Sequence, residues 1–193
     1  MSAKGDLPVI SFASRGAWEE WLAEEHATSN GLWLKLAKVG AGIDSVSYAE
    51  AVEVALCYGW IDGQAASFDE TCWLQRFTPR RRRSKWSRIN RDRASGLIER
   101  GEMKPAGLAE VERAKSDGRW DAAYESQGTA TMPDDLHRAL EKNDAARAFF
   151  ATLDSRNRYA ILYRIQDAKK PETRARRIAK YVAMLNEHTK LYP

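Results

Sequence analysis

Hydrophobic and polar positions change period along this chain, and each change marks an element. Val9 to Phe12 is a short apolar run that reads as a strand, and Ser14 then offers an N-cap to RGAWEEWLAEEH, where Trp18, Trp21, Leu22 and Glu25 fall at helical spacing. Asn30-Gly31 ends that helix, and LWLKLAK places Leu32, Leu34 and Leu36 on one face and Trp33 and Lys35 on the other, which predicts a strand. Ser47-Tyr48-Ala49-Glu50 is a capping box that opens a helix packed through Val52, Ala55 and Leu56 and ended by Gly59. Trp60, Ile61 and Asp62 lead into Gly63 and Gln64, which read as a turn. Thr71 to Phe77 then alternates Cys72, Leu74 and Arg76 with Trp73, Gln75 and Phe77, a strand whose inward face the alternation leaves open.

Thr78-Pro79 ends that strand, and an arginine run, Arg80 to Arg83, leads to Ser87, the expected N-cap of a helix through Arg100 with Ile89, Ala94, Leu97 and Ile98 as apolar positions. Pro105 and Gly118 bracket a further helix with Leu108, Val111 and Ala114 on one side. The small polar run 125–132 has the composition of a linker. Beyond Pro133 the pattern is helical throughout, with Asp144 and Ser155 as expected N-caps, Pro171 as the first residue of the last helix, and Ile178, Tyr181, Val182 and Leu185 forming its stripe. The expected fold is α+β and helix-dominated. It has a small N-terminal sheet packed by helices over 1–124, a linker over 125–132 and a C-terminal helical subdomain over 133–193.

Composition changes this picture little, but charge does. With 44% hydrophobic and 30% charged residues the chain reads as globular, and no apolar run reaches the roughly 18 residues of a membrane span. The opening MSAKGDLPVISF lacks a secretory apolar core, so the expected location is cytoplasmic, and Cys57 and Cys72 read as two buried thiols. The net charge of +4 conceals two basic segments, 79–93 and 155–180, each carrying +7, which leaves −10 for the remainder. Such separation attracts anions, acidic proteins, nucleic acid or anionic headgroups.

The stretches EVALCYGWIDGQ, WLQRFTPRR, SKWSRINRDR, MKPAGLAEVERAKSDGRWDAAY and KKPETRARRIAKYVAMLNE, in this order, resemble the YdeI/OmpD-associated family, also described as bacteriocin-protection proteins. The positions that carry the likeness through the middle of the chain are Gly59, Trp60, Ile61, Asp62, Gly63, Arg76, Phe77, Thr78, Pro79, Arg80, Trp86, Ser87 and Asn90. The resemblance implies a role in bacterial stress resistance, with links to antimicrobial peptides and porin regulation. It brings no catalytic residues with it.

The richest chemistry lies between Tyr58 and Asn90. The leading expectation is a site for an anionic ligand or acidic partner formed by Trp60, Asp62, Gln64, Arg76, Thr78, Arg80, Trp86, Ser87 and Asn90. In it a helix start and forked arginine donors face an anion, Asp62 orients an arginine, and Trp60 or Trp86 supplies an apolar wall. The plainer expectation is that Asp62 pairs with Arg76 or caps a turn, that the indoles are core and that the arginine run is a solvated surface loop, with Arg81, Arg82 and Arg83 as surface charge. A nucleic-acid-binding module using 79–93 and 155–180, with Trp86 stacking a base, is the alternative, though no helix-turn-helix, zinc or RNA-recognition signature accompanies it. An enzyme of unknown class is a further alternative. No complete catalytic motif emerges, Cys57 sits in an apolar helix, and His26, His137 and His188 lack metal-ligand spacing, so no cofactor or metal is implied. A last reading gives the C-terminal bundle, with its RARR run opposite the Ile178 stripe, an acidic protein partner.

Overall fold

The computed structural model describes residues 7–193, so the reading of the chain's opening rests partly on residues 1–6, outside the described residues. Eight helices and four strands form among the described residues, and all four strands lie in the N-terminal half. The fold is α+β and helix-dominated, as the pattern predicts. Two compact units divide it. One holds the described residues through Trp86 with Asn90–Ala122; the other holds Ser87–Ile89 and Ala123–Pro193.

The first unit is built on a sheet of order β1-β2-β4-β3, with β1 (Val9–Ser11), β2 (Leu32–Ala37), β3 (Trp60–Ser67) and β4 (Cys72–Pro79). β1 runs parallel to β2, whereas β2–β4 and β4–β3 are antiparallel. Residues directly opposite one another share a face. The register Leu32↔Phe77, Leu34↔Gln75 and Leu36↔Trp73 therefore puts the three leucines with Phe77, Gln75 and Trp73, and leaves Trp33 with Arg76 on the other side.

Helices α1 (Arg15–Glu25) and α2 (Tyr48–Cys57) pack on the leucine face. Ser14 caps α1 through the Ala17 amide, and the Ser47–Glu50 box closes in both directions, as the local spacing predicts. Trp18 is fully buried, lies 5.6 Å from the Phe77 ring and donates its indole N–H to the Ala51 carbonyl, joining both helices to the sheet. Gly59 ends α2 at φ +74°, a conformation that L side chains rarely adopt. Helix α4 (Pro105–Ser116) then crosses so closely that a Cβ on Gly107 would lie 2.3 Å from the Cys57 carbonyl oxygen. On α4 and on α3 (Arg88–Glu99), Leu108 and Ile89 are exposed rather than packed.

The second unit contains α5 (Asp134–Glu141), α6 (Asp144–Thr152), α7 (Ser155–Gln166) and α8 (Pro171–Asn186). Leu136, Leu140, Phe150, Ile161, Ile165 and the expected stripe Ile178, Tyr181, Val182 and Leu185 form its core. The caps of α6 and α7 lie one residue before Asp144 and Ser155: Asn143 occupies the first, and Asp154 accepts from the Asn157 amide at the second. The segment 125–132 is organised by Glu125, whose carboxylate accepts from the Thr131 amide at 2.8 Å and from Arg88 at 2.7 Å.

Candidate functional site

Gly63-Gln64 does not form the expected turn; it lies within β3. Pairing runs from Asp62↔Phe77 directly to Ala65↔Gln75, so that Gly63 and Gln64 together oppose the single residue Arg76. This is a β-bulge, the usual meaning of a glycine inside a strand, and bulges re-aim the side chain they face. Gln75, only 4% exposed, holds it: its side-chain amide donates to the Gly63 carbonyl at 2.9 Å and to the Gln64 carbonyl at 3.4 Å. A Cβ on Gly63 would lie 3.8 Å from Arg76 Cδ, which places the glycine against the arginine stem.

Arg76 is half-buried, and its Nε is buried without a hydrogen-bond partner among the described residues. The guanidinium makes no ion pair with any described residue. A buried donor left unsatisfied costs about 1–3 kcal/mol, more when charged. Any hydrogen-bond acceptor relieves it, and a guanidinium fork suits a carboxylate or a phosphate. Trp33, opposite Arg76 in β2, and Thr78, two residues along β4, share its face.

The pairing of Asp62 with Arg76 does not form. Asp62 is in register with Phe77 and so projects from the helix-covered face, away from Arg76. There it accepts the Tyr48 hydroxyl at 2.7 Å, and burial together with this contact pushes the Tyr48 phenol well above its ordinary range.

Neither predicted tryptophan wall stands beside Arg76. Trp60 is a core residue, 1% exposed, edge-on to Trp18 and Trp21, with its indole N–H on the His26 carbonyl. Trp86 is 2% exposed, covered on one face by the Arg80 guanidinium at 3.6 Å and met by Trp120 at 4.9 Å. Arg80 is itself buried, and its backbone amide donates to the Gly59 carbonyl. Its loop closes through reciprocal Arg81–Ser84 bonds and through Arg119, which donates to the Ser84 carbonyl at 2.7 Å. Arg81, Arg82 and Arg83 remain exposed at the tip. Ser87 forms an isolated bridge with Tyr124 just before α3, and Asn90 lies in the first turn of that helix.

The remaining reactive groups are quiet. Burial pushes the Cys57 thiol up to about 11, so little thiolate forms at neutral pH. No three His, Cys, Asp or Glu side chains are placed to hold a metal among the described residues. None of the described helices is long and apolar enough to cross a membrane.

Residues 10–110, just over half the chain, match the model of a family described as a domain of unknown function (DUF8412), and the chain belongs to that family. Residues 129–188 match the model described as bacteriocin-protection, YdeI or OmpD-associated, consistent with the family likeness seen in the sequence. The stretches around Gly59–Gly63, Arg76–Arg80 and Trp86–Asn90 fall within the first match, and the KKPETRARRIAKYVAMLNE stretch within the second. No curated protein and no solved structure matches the chain.

Sequence reasoning missed three residues that shape the site. Gln75 carries no motif, yet it fixes the bulge; Tyr48 reaches Asp62 from 14 residues away; and Trp33 meets Arg76 only through strand pairing. The glycine at 63 inside an apolar-flanked stretch was the one available signal for the bulge.

Proposed function

We propose that this chain acts as a bacteriocin-protection-like stress-resistance protein by binding an anion at Arg76, either a small carboxylate or phosphate or an acidic side chain on a partner. The observation that supports this most strongly is the buried, unpartnered Nε of Arg76 opposite a bulge that Gln75 holds open. Trp33 flanks the arginine as the apolar wall, and Thr78 and Gln64 are the neighbouring polar groups. Trp60, Arg80 and Trp86 serve packing, and Asp62 belongs to the opposite face. The burial of Trp86 under Arg80 removes the base-stacking platform that the nucleic-acid reading requires, which favours the anion reading.

Thermal unfolding in phosphate or citrate at fixed ionic strength tests this. The wild type is stabilised as either anion is added, because a ligand that binds only the folded state raises stability by about 2.7 kcal/mol at a hundredfold excess over Kd. Arg76→Met keeps its stability without ligand and loses that response. Asp62→Ala lowers stability and keeps the response. A destabilised Arg76→Met that still responds to the anions overturns the proposal.

A further inference from the structure

The second unit carries a groove between α5 and α8 with a volume of about 620 Å³. Its floor is apolar: Ala175, Ala179 and Ala183 recur every four residues along α8, all three exposed, with Ile178 and Val182 between them and Ala139 facing from α5. Small side chains at this spacing let another helix approach closely. From Ala175 to Asn186 the floor runs about 17 Å at 1.5 Å per residue, the length of three helical turns.

The groove walls decide what kind of chain fits. Both are helices whose backbone groups are already bonded within themselves, so an extended segment would find no ladder to join. A helix satisfies its own backbone and presents anchors at i, i+3 or i+4, and i+7. Charge decides the flank. Asp135, on the α5 wall, is neutralised by a two-point bond from Arg174, Nε to Oδ2 at 2.5 Å and Nη2 to Oδ1 at 2.9 Å. The side chains of Arg138 and Lys142, one turn apart on the same wall, are exposed and make no ion pair or hydrogen bond with any described residue. The uncompensated charge on that wall is therefore positive.

We infer that the α5–α8 groove docks an amphipathic helix of another protein, apolar on the side that enters the groove and acidic along the flank that passes Arg138 and Lys142. This surface is separate from Arg76, and neither reading depends on the other.

The test uses the whole chain and two labelled helical peptides of about four turns, which share a leucine stripe and differ only in carrying glutamate or lysine on the flank. Fluorescence anisotropy shows saturable binding of the glutamate peptide, tighter than the lysine peptide by about tenfold, as two exposed charge pairs of up to about 1 kcal/mol each imply. The double variant Arg138→Glu/Lys142→Glu reverses the preference. Ala179→Trp, with helicity and unfolding temperature unchanged, abolishes binding of both. If Ala179→Trp does not fold, the charge reversal still decides, since both of its positions are exposed. Equal binding of the two peptides, no binding of either, or a preference that survives the charge reversal overturns the inference. So does self-association in sedimentation, or binding to phosphatidylserine vesicles, that Ala179→Trp abolishes, because the groove then holds a second copy of the chain or a lipid surface.

Discussion

The Tyr48 hydroxyl donates to the Asp62 carboxylate across 2.7 Å, on the face of the sheet opposite Arg76. This bond occupies the one acidic group of β3 and ties the first turn of α2 to the strand. Tyr48→Phe loses about 1 kcal/mol, a drop of about 2–4 °C in unfolding temperature. The phenol's folded pKa is raised, so the contribution is complete below about pH 10 and is lost as pH rises from there toward the folded value. Calorimetry between pH 8 and pH 11 shows the gap between wild type and Tyr48→Phe closing as pH rises; a constant gap contradicts the assignment.

Gln75 positions the bulge rather than touching a ligand. Gln75→Leu leaves the Gly63 and Gln64 carbonyls without their donor at a cost of about 1–3 kcal/mol. It also weakens phosphate-dependent stabilisation, because the bulge that faces Arg76 relaxes. A merely structural glutamine would lower the unfolding temperature and leave the phosphate response intact.

Two glycines separate site geometry from helix packing. At Gly107 a Cβ meets the Cys57 carbonyl oxygen at 2.3 Å, and relieving that overlap requires α4 to move from α2, so Gly107→Ala costs at least about 2 kcal/mol. At Gly63 the nearest atoms lie 3.7 Å away, which is ordinary contact, and Gly63→Ala leaves stability within about 0.5 kcal/mol. Denaturant midpoints of the two variants check the contrast.

Glu125 is one of the carboxylates, with Asp135 and Asp154, that give the second unit acid sensitivity. The Thr131 amide, and then the Arg88 charge, hold its carboxyl below the ordinary range despite burial. Its contribution is therefore full above about pH 4.3 and is lost as pH falls through the folded value. Glu125→Gln costs about 1–3 kcal/mol at pH 7, and the difference from wild type disappears in strong acid. Urea unfolding followed between pH 3 and pH 7 measures it.

Local signals were legible and register was not. The Ser47–Glu50 box, the Leu32, Leu34 and Leu36 face and the Ile178 stripe each depend on spacings within one element, and the structure keeps them all. β3 was hidden because Gly63-Gln64 interrupts its alternation. The site was half visible for a related reason. Arg76 stands out as an arginine in an apolar strand, but whether it faces Asp62 or Trp33 is set by pairing between distant strands, and that pairing puts Asp62 behind the sheet. The arginine run was half legible: Arg81, Arg82 and Arg83 are exposed surface charge, while Arg80, expected in the site, lies buried on Trp86.

The Arg76 Nε–H resonance in a two-dimensional ¹⁵N spectrum tests the central claim most directly, because it reports on a donor that has no partner among the described residues. Titrating phosphate against chloride at constant ionic strength moves that resonance saturably, and Arg76→Lys, which lacks the guanidinium fork, does not restore phosphate-dependent stabilisation. A resonance that stays in place while the exposed Arg81–Arg83 signals shift contradicts it.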